Sequence, residues 1–325
     1  MKQANLSEAT TRPGVVHECP LCLSNSLDVL FSRSVDHITG ASFLVYECCS
    51  CDVKFTAPVP DCLDSYYPSS YRGYGPVVLA VLRALYRLRV RGWVSDRSPG
   101  RVLEVGCGPG LMLEALQEKG WSVVGVERNE DACSDARQRL GAEVVAGGIE
   151  NVDKTEGFDL IVLFNVLEHV ADPMYLLKEC AARLNRRGAL VVSVPNLRSW
   201  QASFGGPVWL HLDVPRHLVH FTPDSLSDAL QSVGLSVSEL TTVSPEHDPF
   251  GWIQSVLNRM GLPFNSLTQY LMGLKGLDVS VVCSTLLAML LVIPAIAVSV
   301  ISWVFQRGAL MEVTAVATDR SKEQE

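Results

Sequence analysis

The sequence has little positive charge for its size, and its first residues lack an apolar segment. Lysine and arginine number 27 against 35 aspartates and glutamates in 325 residues, which gives a formal net charge of −8. A general nucleic-acid binder needs an excess of basic side chains to neutralise phosphates, so nucleic acid is an unfavourable partner. The opening MKQANLSEATTRPG has no apolar core of the kind found in secretory signals, so we expect the folded part to be cytoplasmic.

Ten cysteines are present, and four of them form two closely spaced pairs. Cys19 and Cys22 form one Cys-x-x-Cys pair, Cys48 and Cys51 form the other, and a β-rich segment separates them. In a reducing compartment such pairs are more typical of metal sites than of disulfides, and this spacing suits tetrahedral zinc. We predict a zinc ribbon over residues 15–56, with a structural Zn²⁺ in place of the core that so short a module cannot build.

The glycines that usually follow such cysteine pairs are absent from this chain. Leu23 and Asp52 stand in their places. This departure supports one alternative, in which the ribbon has kept its thiols but lost its metal.

Residues 57–99 are predicted to be a connector followed by an amphipathic helix. The first part is rich in proline, glycine, serine and tyrosine, which is typical of a loop. Arg83, Arg87 and Arg91 then follow at intervals of four, on one face of a helical pattern. Such a helix either packs on the main sheet with its arginines in water, which we favour, or lies on anionic lipid.

From residue 100 onward, short β-branched runs alternate with helical periods. This alternation predicts an α/β fold with a parallel sheet covered by helices on both faces. The runs that carry the pattern are RVLEV, LMLEALQEKG, SVVGVE, DACSDARQRLG, AEVVAG, FDLIVLFNVLEH, ALVVSVP, LSVSELTTV and ALMEVTAVA.

The turn after the first of these strands is unusually rich in glycine. Gly106, Gly108 and Gly110 alternate with other residues, and Leu111 stands where a dinucleotide-binding motif would have its third glycine. A pyrophosphate ligand is therefore less favoured, although glycines still let some ligand approach the main chain. Glu127 ends the next strand, where an acid can accept hydrogen bonds from both ribose hydroxyls.

The segments VLEVGCGPG, GVE and NVLEHVADP together resemble the class I S-adenosylmethionine-dependent methyltransferases. The resemblance implies a Rossmann-like, seven-stranded sheet over residues 100–243 plus 309–318 that binds S-adenosyl-L-methionine. It also implies that the glycine turn holds the methionine end of the cofactor and that an acid holds the ribose. The family often has an acid after the third strand to read adenine, whereas this chain has GGI there. The implied cofactor-binding residues are Glu104, Gly106, Cys107, Gly108, Gly110, Glu127, Arg128, Ile149 and Asn165.

Titratable side chains are concentrated after the fifth strand, in WLHLDVPRHLVHFTPDSL. Groups of this kind at the ligand edge of a sheet are candidates for acceptor binding and proton transfer. We predict His217 or His220 as the general base. We assign substrate binding to three further residues, which are His211, Asp213 and Arg216. By contrast, Glu168 and His169 are expected to cap and brace a helix.

Between Asp278 and Arg307 the sequence carries no charge at all. Pro294 divides this stretch into two arms, and at ~1.5 Å per residue neither arm crosses about 30 Å of hydrocarbon. If 309–318 is the last strand of the sheet, the chain must also return to the side that it left. We therefore predict that the insertion 244–308 carries a membrane-contacting hydrophobic hairpin. The alternatives are a single C-terminal span, and an apolar lid or dimer interface in a soluble protein.

The order of the motifs also resembles bacterial zinc-ribbon methyltransferases, many of which are associated with cell-surface glycan or natural-product pathways. The resemblance implies a methyltransferase, peripheral or monotopic at the inner membrane, whose small-molecule acceptor is glycan- or lipid-linked. The alternatives are an RNA methyltransferase with a zinc ribbon and a noncatalytic cofactor-binding scaffold, while O-, N- and C-methylation all stay open. Outside the four predicted units, residues 1–14 and 319–325 are interpreted as tails.

Overall fold

The computed structural model describes residues 18–67, 76–155 and 157–317, so both predicted tails lie outside the described residues. Within these ranges the chain forms a seven-stranded sheet, a four-stranded sheet and a group of C-terminal helices. The strands of the larger sheet are β4 (Arg101–Val105), β5 (Ser122–Glu127), β6 (Glu143–Ala146), β7 (Phe158–Phe164), β8 (Leu184–Pro195), β10 (Leu235–Thr241) and β11 (Leu310–Ala317). The smaller sheet contains β1 (Leu27–Val35), β2 (Ser42–Cys48), β3 (Lys54–Ala57) and β9 (Val219–His220).

The larger sheet has the order β10-β11-β8-β7-β4-β5-β6. Strands β4 to β8 of this sheet are mutually parallel, and β11 runs antiparallel between β8 and β10. The predicted α/β class and seven-stranded sheet are therefore confirmed. The helices around it are α1 (Pro76–Val94), α2 (Leu111–Gln117), α3 (Glu130–Leu140), α4 (Pro173–Arg183), α5 (Trp200–Gly205) and α6 (Pro223–Ser232).

The central strands are apolar on both faces because helices cover both sides of the sheet. In β7 the side chains of Leu160 and Val162 pack with those of α1, α2 and α3. Ile161 and Leu163, which alternate with them, pack on the other face with α4 and α6. All four side chains are fully buried, which explains why the sequence shows a continuous apolar run there.

Helix α1 packs on the larger sheet, as we favoured, but two of its arginines pair with glutamates and are not simply in water as we expected. The side chain of Arg83 forms an ion pair with Glu114, and that of Arg87 forms one with Glu118. Both partners belong to the α2 segment, so these two arginines are directed at the protein.

The smaller sheet joins the cysteine-rich segment to a distant part of the chain. Strands β1, β2 and β3 form an antiparallel meander, and β9 adds to the free side of β3. The Thr56 backbone N–H also donates to the Leu218 carbonyl oxygen at 2.9 Å. The titratable segment after β8 is therefore tied to the ribbon by backbone hydrogen bonds.

The apolar C-terminal stretch forms one continuous helix, so the predicted hairpin is wrong. Helix α9 (Val279–Val304) has 26 residues, and Pro294 lies inside it without ending it. It packs along α7 (Asp248–Arg259) and α8 (Ser266–Leu271). Because a neighbouring helical surface supports α9 along its length, the loss of one backbone hydrogen bond at proline does not split it. The predicted apolar helical element itself is confirmed.

Candidate functional site

The glycine turn after β4 adopts a backbone that other residues rarely adopt. Gly106, Gly108 and Gly110 have φ values of 72°, 52° and 78°. The Gly106 and Cys107 backbone N–H groups both donate to the Val126 carbonyl oxygen, at 2.7 and 3.0 Å. The turn is therefore folded back against the end of β5, with its glycines in the left-handed region.

Two buried acids stand beside this turn. Glu127 accepts hydrogen bonds from the Gly108 and Asn129 backbone N–H groups, both at 2.9 Å. Glu104 is buried, and its Oε2 has no hydrogen-bond partner among the described residues. Burial, together with the nearby charge of Glu127, raises the pKa of Glu104 well above its ordinary value. A ligand that carries positive charge would stabilise the ionised form of Glu104 beside this turn.

The other predicted cofactor residues differ in their exposure. Cys107 and Ile149 are buried, whereas Arg128 is exposed. Asn165 follows β7 with φ of 54°, and its buried Oδ1 has no partner in the part of the chain that the structure describes. An unsatisfied buried amide oxygen at the carboxyl edge of the sheet is one more group that a bound ligand can satisfy.

Glu168, His169 and His217 come together immediately after this edge. One carboxylate oxygen and one nitrogen from each imidazole lie within 4.8 Å of one another. The two imidazole centroids are 4.7 Å apart, and His169 Nε2 is 4.0 Å from Glu168 Oε1. Burial raises the pKa of Glu168 to about 8 and lowers that of His217 to about 4.

Sequence reasoning did not predict that Glu168 and His169 lie together with His217. We expected them to cap and brace a helix, but α4 is capped by Asp172, whose side chain accepts from the Tyr175 N–H. Neither carboxyl oxygen of Glu168 has a hydrogen-bond partner on another described residue. The LEHV motif was a visible signal, but its third partner, His217, lies 48 residues further along the chain.

The substrate-binding role predicted for Asp213 and Arg216 is not supported by their surroundings. The Arg216 guanidinium is fully buried, where it contacts the carboxylate of Asp213 and, at 2.8 Å, that of Asp36. It also donates to the Tyr66 carbonyl oxygen and contacts His37. These groups belong to the ribbon and the following segment, so this ion-pair network holds the ribbon against the main domain.

The remaining predicted histidines occupy different positions. His220 lies in β9, and its Nε2 is 2.9 Å from Thr56 Oγ1 of the ribbon. His211 is half-buried beside Trp209 and His247, and its buried Nε2 has no partner within the described ranges. Of the two histidines predicted as the base, the structure thus brings only His217 to the acid-histidine cluster.

The four predicted metal-binding thiols form one cluster. Cys19 Sγ is 3.6 Å from Cys51 Sγ, and Cys22 Sγ is 3.5 Å from Cys48 Sγ. All four sulfurs lie within 4.8 Å of one another. Zinc with four thiolates at ~2.3 Å has sulfurs about 3.8 Å apart, so the cluster fits this metal.

The residues after the cysteine pairs adopt the conformation that glycine usually provides there. Leu23 and Asp52 have φ values of 59° and 58°. The missing glycines therefore do not prevent the two turns from forming, although side chains in this region carry some strain.

Comparisons with known proteins find similarity over the middle of the chain. Residues 79–240 match a family described as "Methyltransferase domain". The ubiquinone biosynthesis O-methyltransferase of Bradyrhizobium diazoefficiens is 33% identical over 156 residues, which cover 44% of this chain and 61% of that protein. The protein of the same name from Coxiella burnetii is 30% identical over 154 residues, covering 44% and 66%. The chain thus spans less than two thirds of the length of these curated relatives.

Among solved structures, one similar protein is a SAM-dependent methyltransferase from Archaeoglobus fulgidus. It has a TM-score of 0.47 and 19% sequence identity, and the similarity covers 72% of this chain and 93% of that chain.

Proposed function

We propose that this protein, whose residues 79–240 match the methyltransferase domain family, transfers a methyl group from S-adenosylmethionine to a hydroxyl of a small hydrophobic acceptor. The observation that carries the proposal is the left-handed glycine turn flanked by two buried acids. The names of the curated relatives favour O-methylation over the other chemistries. A lipid- or glycan-linked acceptor at the cytoplasmic face of the membrane fits the apolar surface described below.

The residues around the turn fit this cofactor. Glu104 would face the positively charged methionine end, because its Oε2 is buried and lacks a partner among the described residues. Glu127 would hold the ribose, and Ile149 would pack beside the adenine. The bound cofactor supplies a methyl group that its sulfonium makes electrophilic. The protein therefore has to orient the acceptor and to remove the proton of its hydroxyl group.

We assign the proton-handling role to the cluster around His217, and not to His220. His217 Nδ1 is 2.8 Å from the His211 carbonyl oxygen, and because a carbonyl only accepts, Nδ1 carries the hydrogen. The lone pair is therefore on Nε2. Since burial lowers the pKa of His217 to about 4, this lone pair is available at neutral pH.

The test is methyl transfer itself, with the full chain, S-adenosylmethionine and bacterial lipid extract. We expect S-adenosylhomocysteine to form, and His217→Gln to abolish its formation while cofactor binding measured by calorimetry stays intact. His220→Gln is the matched control, and it should retain turnover. Binding of the cofactor without any S-adenosylhomocysteine in all extracts tried would instead support the scaffold alternative, and full turnover of His217→Gln would overturn the assignment.

We also propose that Cys19, Cys22, Cys48 and Cys51 hold one structural zinc ion. The distances between their sulfurs support this proposal, because four thiols so close together suit a shared metal. Metal analysis of the purified protein should find this zinc, and a Cys22→Ser variant should lose it.

The surface of α9 supports membrane contact. α9 is the one helix in the described part of the chain that is long and apolar enough to cross a membrane. Its small side chains face the protein, and these buried residues are Ser284, Ala288, Ala295, Ser299 and Ser302. Its large apolar side chains face outward, and the most exposed of them are Val279, Leu286, Met289, Leu290, Ile293 and Val304.

The packing of α9 favours a helix that lies in the membrane surface. Buried positions occur along its whole length, from Val281 to Ser302, so a span would have to strip the helix from α7 and α8. Trp303 also donates through Nε1 to Asp248 Oδ2 at 2.6 Å, which ties the far end to the domain. We therefore propose a monotopic protein whose α9 outer face dips into one leaflet.

A further inference from the structure

We propose that helix α7 of the insertion positions His217 for methyl transfer, and that Gly251 is the positioning residue on which this depends. This role rests on the proposed function, since it concerns how the assigned base is held for that reaction. His217 Nδ1 is 2.8 Å from the His211 carbonyl oxygen, so the orientation of the imidazole depends on where the backbone of His211 lies. Whatever fixes that backbone therefore also fixes the tautomer of His217 and the lone pair on its Nε2.

The backbone just before this carbonyl is bound to one face of α7. The Leu210 backbone N–H donates to Ser255 Oγ at 3.2 Å, and Asn258 Nδ2 donates to the Val208 carbonyl oxygen at 3.0 Å. Both of these α7 side chains are buried. Gly251, Ser255 and Asn258 follow one another at intervals of four and three residues, which places them on the same side of a helix.

Glycine at position 251 lets the His211 ring lie directly on this face. A Cβ there would stand 2.7 Å from His211 Nε2 and 2.5 Å from Gln201 Oε1, closer than non-bonded atoms approach. Gln201 Oε1 also accepts from Trp209 Nε1 at 2.8 Å, and Gln201 Nε2 donates to the Asp248 carbonyl oxygen at 3.1 Å. Any larger residue at position 251 would therefore displace both the ring and the amide that holds the neighbouring tryptophan. Glycine is unfavourable inside a helix, which agrees with a packing requirement here.

The opposite face of α7 packs against the apolar helix α9. Ile253 and Leu257 lie in one hydrophobic cluster with Ala288 and Ala295 of α9. Ile253 is two residues from Gly251, which is about 200° around the helix axis, so the two contacts use opposite faces. Helix α7 thus joins the helix assigned above to membrane contact to the backbone that holds His217. The insertion therefore supplies part of the reaction site in addition to its apolar surface.

The test observes the His217 imidazole directly, in the full chain without acceptor or cofactor. NMR of protein labelled with ¹⁵N at its histidines reports which ring nitrogen carries the hydrogen, and the set of resonances lost in His217→Gln assigns that residue. We expect hydrogen on Nδ1 in the unsubstituted chain at neutral pH, and Gly251→Ala should shift these resonances toward a mixture of the two tautomers. Ser255→Ala, which removes one hydrogen bond without adding volume, should cause a smaller shift in the same direction. Gly92→Ala is the matched control, because a Cβ there meets no atom within 4 Å, and it should cause no shift.

Methyl transfer by the same proteins, with bacterial lipid extract, measures the effect on the reaction. We expect Gly251→Ala to lower turnover at saturating S-adenosylmethionine by about 10-fold to 100-fold, since a small misplacement of a catalytic group can cost about 10²-fold. The KM for S-adenosylmethionine should stay the same as in Gly92→Ala, because α7 does not contact the glycine turn that is assigned to the cofactor.

Two results would overturn the positioning role. One is a set of His217 resonances that is the same in Gly251→Ala, Ser255→Ala and the unsubstituted chain, and the other is full turnover of a Gly251→Ala protein whose tautomer has changed. If no extract supports methyl transfer by the unsubstituted chain, the proposed function fails, whereas the resonances still decide whether α7 orients the imidazole. Circular dichroism identifies loss of fold in Gly251→Ala, and in that event Ser255→Ala decides.

Discussion

At the scale of single residues, buried histidines set the response of the protein to acid. Burial lowers the pKa of His211, His220 and His247 to about 3, and that of His217 to about 4. Asp213 opposes the shift at His211, His217 and His220, whereas Arg89 adds to the shift at His247. Between the unfolded pKa of ~6.5 and these values, the unfolded chain binds more protons than the folded one.

We therefore predict that these histidines lower the free energy of unfolding as the pH falls from 6.5 toward 4, whereas Glu168 and Asp248, whose pKa values burial raises to about 8 and about 7, act in the opposite direction. Each buried histidine contributes a loss of up to about 1.4 kcal/mol per pH unit in this window. Urea unfolding followed at several pH values measures the slope. His247→Gln should remove up to one proton from the difference between the protons bound by the unfolded and the folded chain, and a slope identical to that of the unsubstituted chain would contradict the argument.

A second prediction at this scale concerns Glu127. Glu127→Gln removes the charge but nearly preserves the shape, so it should weaken S-adenosylmethionine binding about 10-fold or more, since a charge-assisted hydrogen bond contributes about 1.5–3 kcal/mol. Calorimetric titration measures the change. Glu130→Gln makes the same charge change on the exposed start of α3 and should leave the affinity unaltered. Equal affinities for the two variants would show that Glu127 does not hold the ribose.

At the scale of elements, α9 combines two unlike faces. The face of small residues lets α7 and α8 approach closely, and Ser266 Oγ and Ser284 Oγ lie 2.9 Å apart at this contact. The opposite face continues at the helix end into exposed aromatic side chains, where Trp200 packs on Phe305 with ring centroids 5.4 Å apart. Aromatic rings of this kind are favoured at the level of lipid headgroups.

We predict that the double substitution Leu290→Gln with Ile293→Gln weakens vesicle binding at least 10-fold. These side chains are 74% and 79% exposed, so removing them takes apolar area away from lipid without disturbing the packed face. Co-sedimentation with phosphatidylethanolamine–phosphatidylglycerol vesicles provides the measurement. Val81→Gln, an exposed apolar position on α1, is the control. Full sedimentation of the double variant would remove the case for a membrane-facing α9.

At the scale of the whole molecule, one buried arginine connects two units that are far apart in the sequence. Arg216→Met preserves much of the volume but leaves the carboxylates of Asp36 and Asp213 buried without their cation. We predict a loss of about 3–5 kcal/mol in the free energy of unfolding. Chemical denaturation followed by tryptophan fluorescence measures it. Arg87→Met removes an exposed ion pair and should have little effect. Similar stability of the two variants would refute a structural role for the network.

The sequence predicted those parts of the molecule that depend on local patterns. The apolar run of β7 indicated a strand buried on both faces, and the glycine turn indicated a left-handed backbone, because each depends on neighbouring residues. The contact between Asp36 and Arg216 was not predictable, since 180 positions separate them and each looks like a solvated charge. Pro294 misled the interpretation of the insertion, because packing against α7 and α8 is invisible in a single sequence.

Strand β3 of the ribbon pairs with β9, which lies outside the ribbon in the sequence. The ribbon therefore cannot be replaced by that of another protein without affecting β9. A chain shortened to the methyltransferase-like sheet would leave the backbone of Val219 and His220 without its partner strand. Conversely, a transplanted loop that altered the spacing between His217 and His220 would shift the register of that pairing. The ribbon and the loop that contains His217 must therefore change together in evolution, and a chimaera designed for a new acceptor has to carry both.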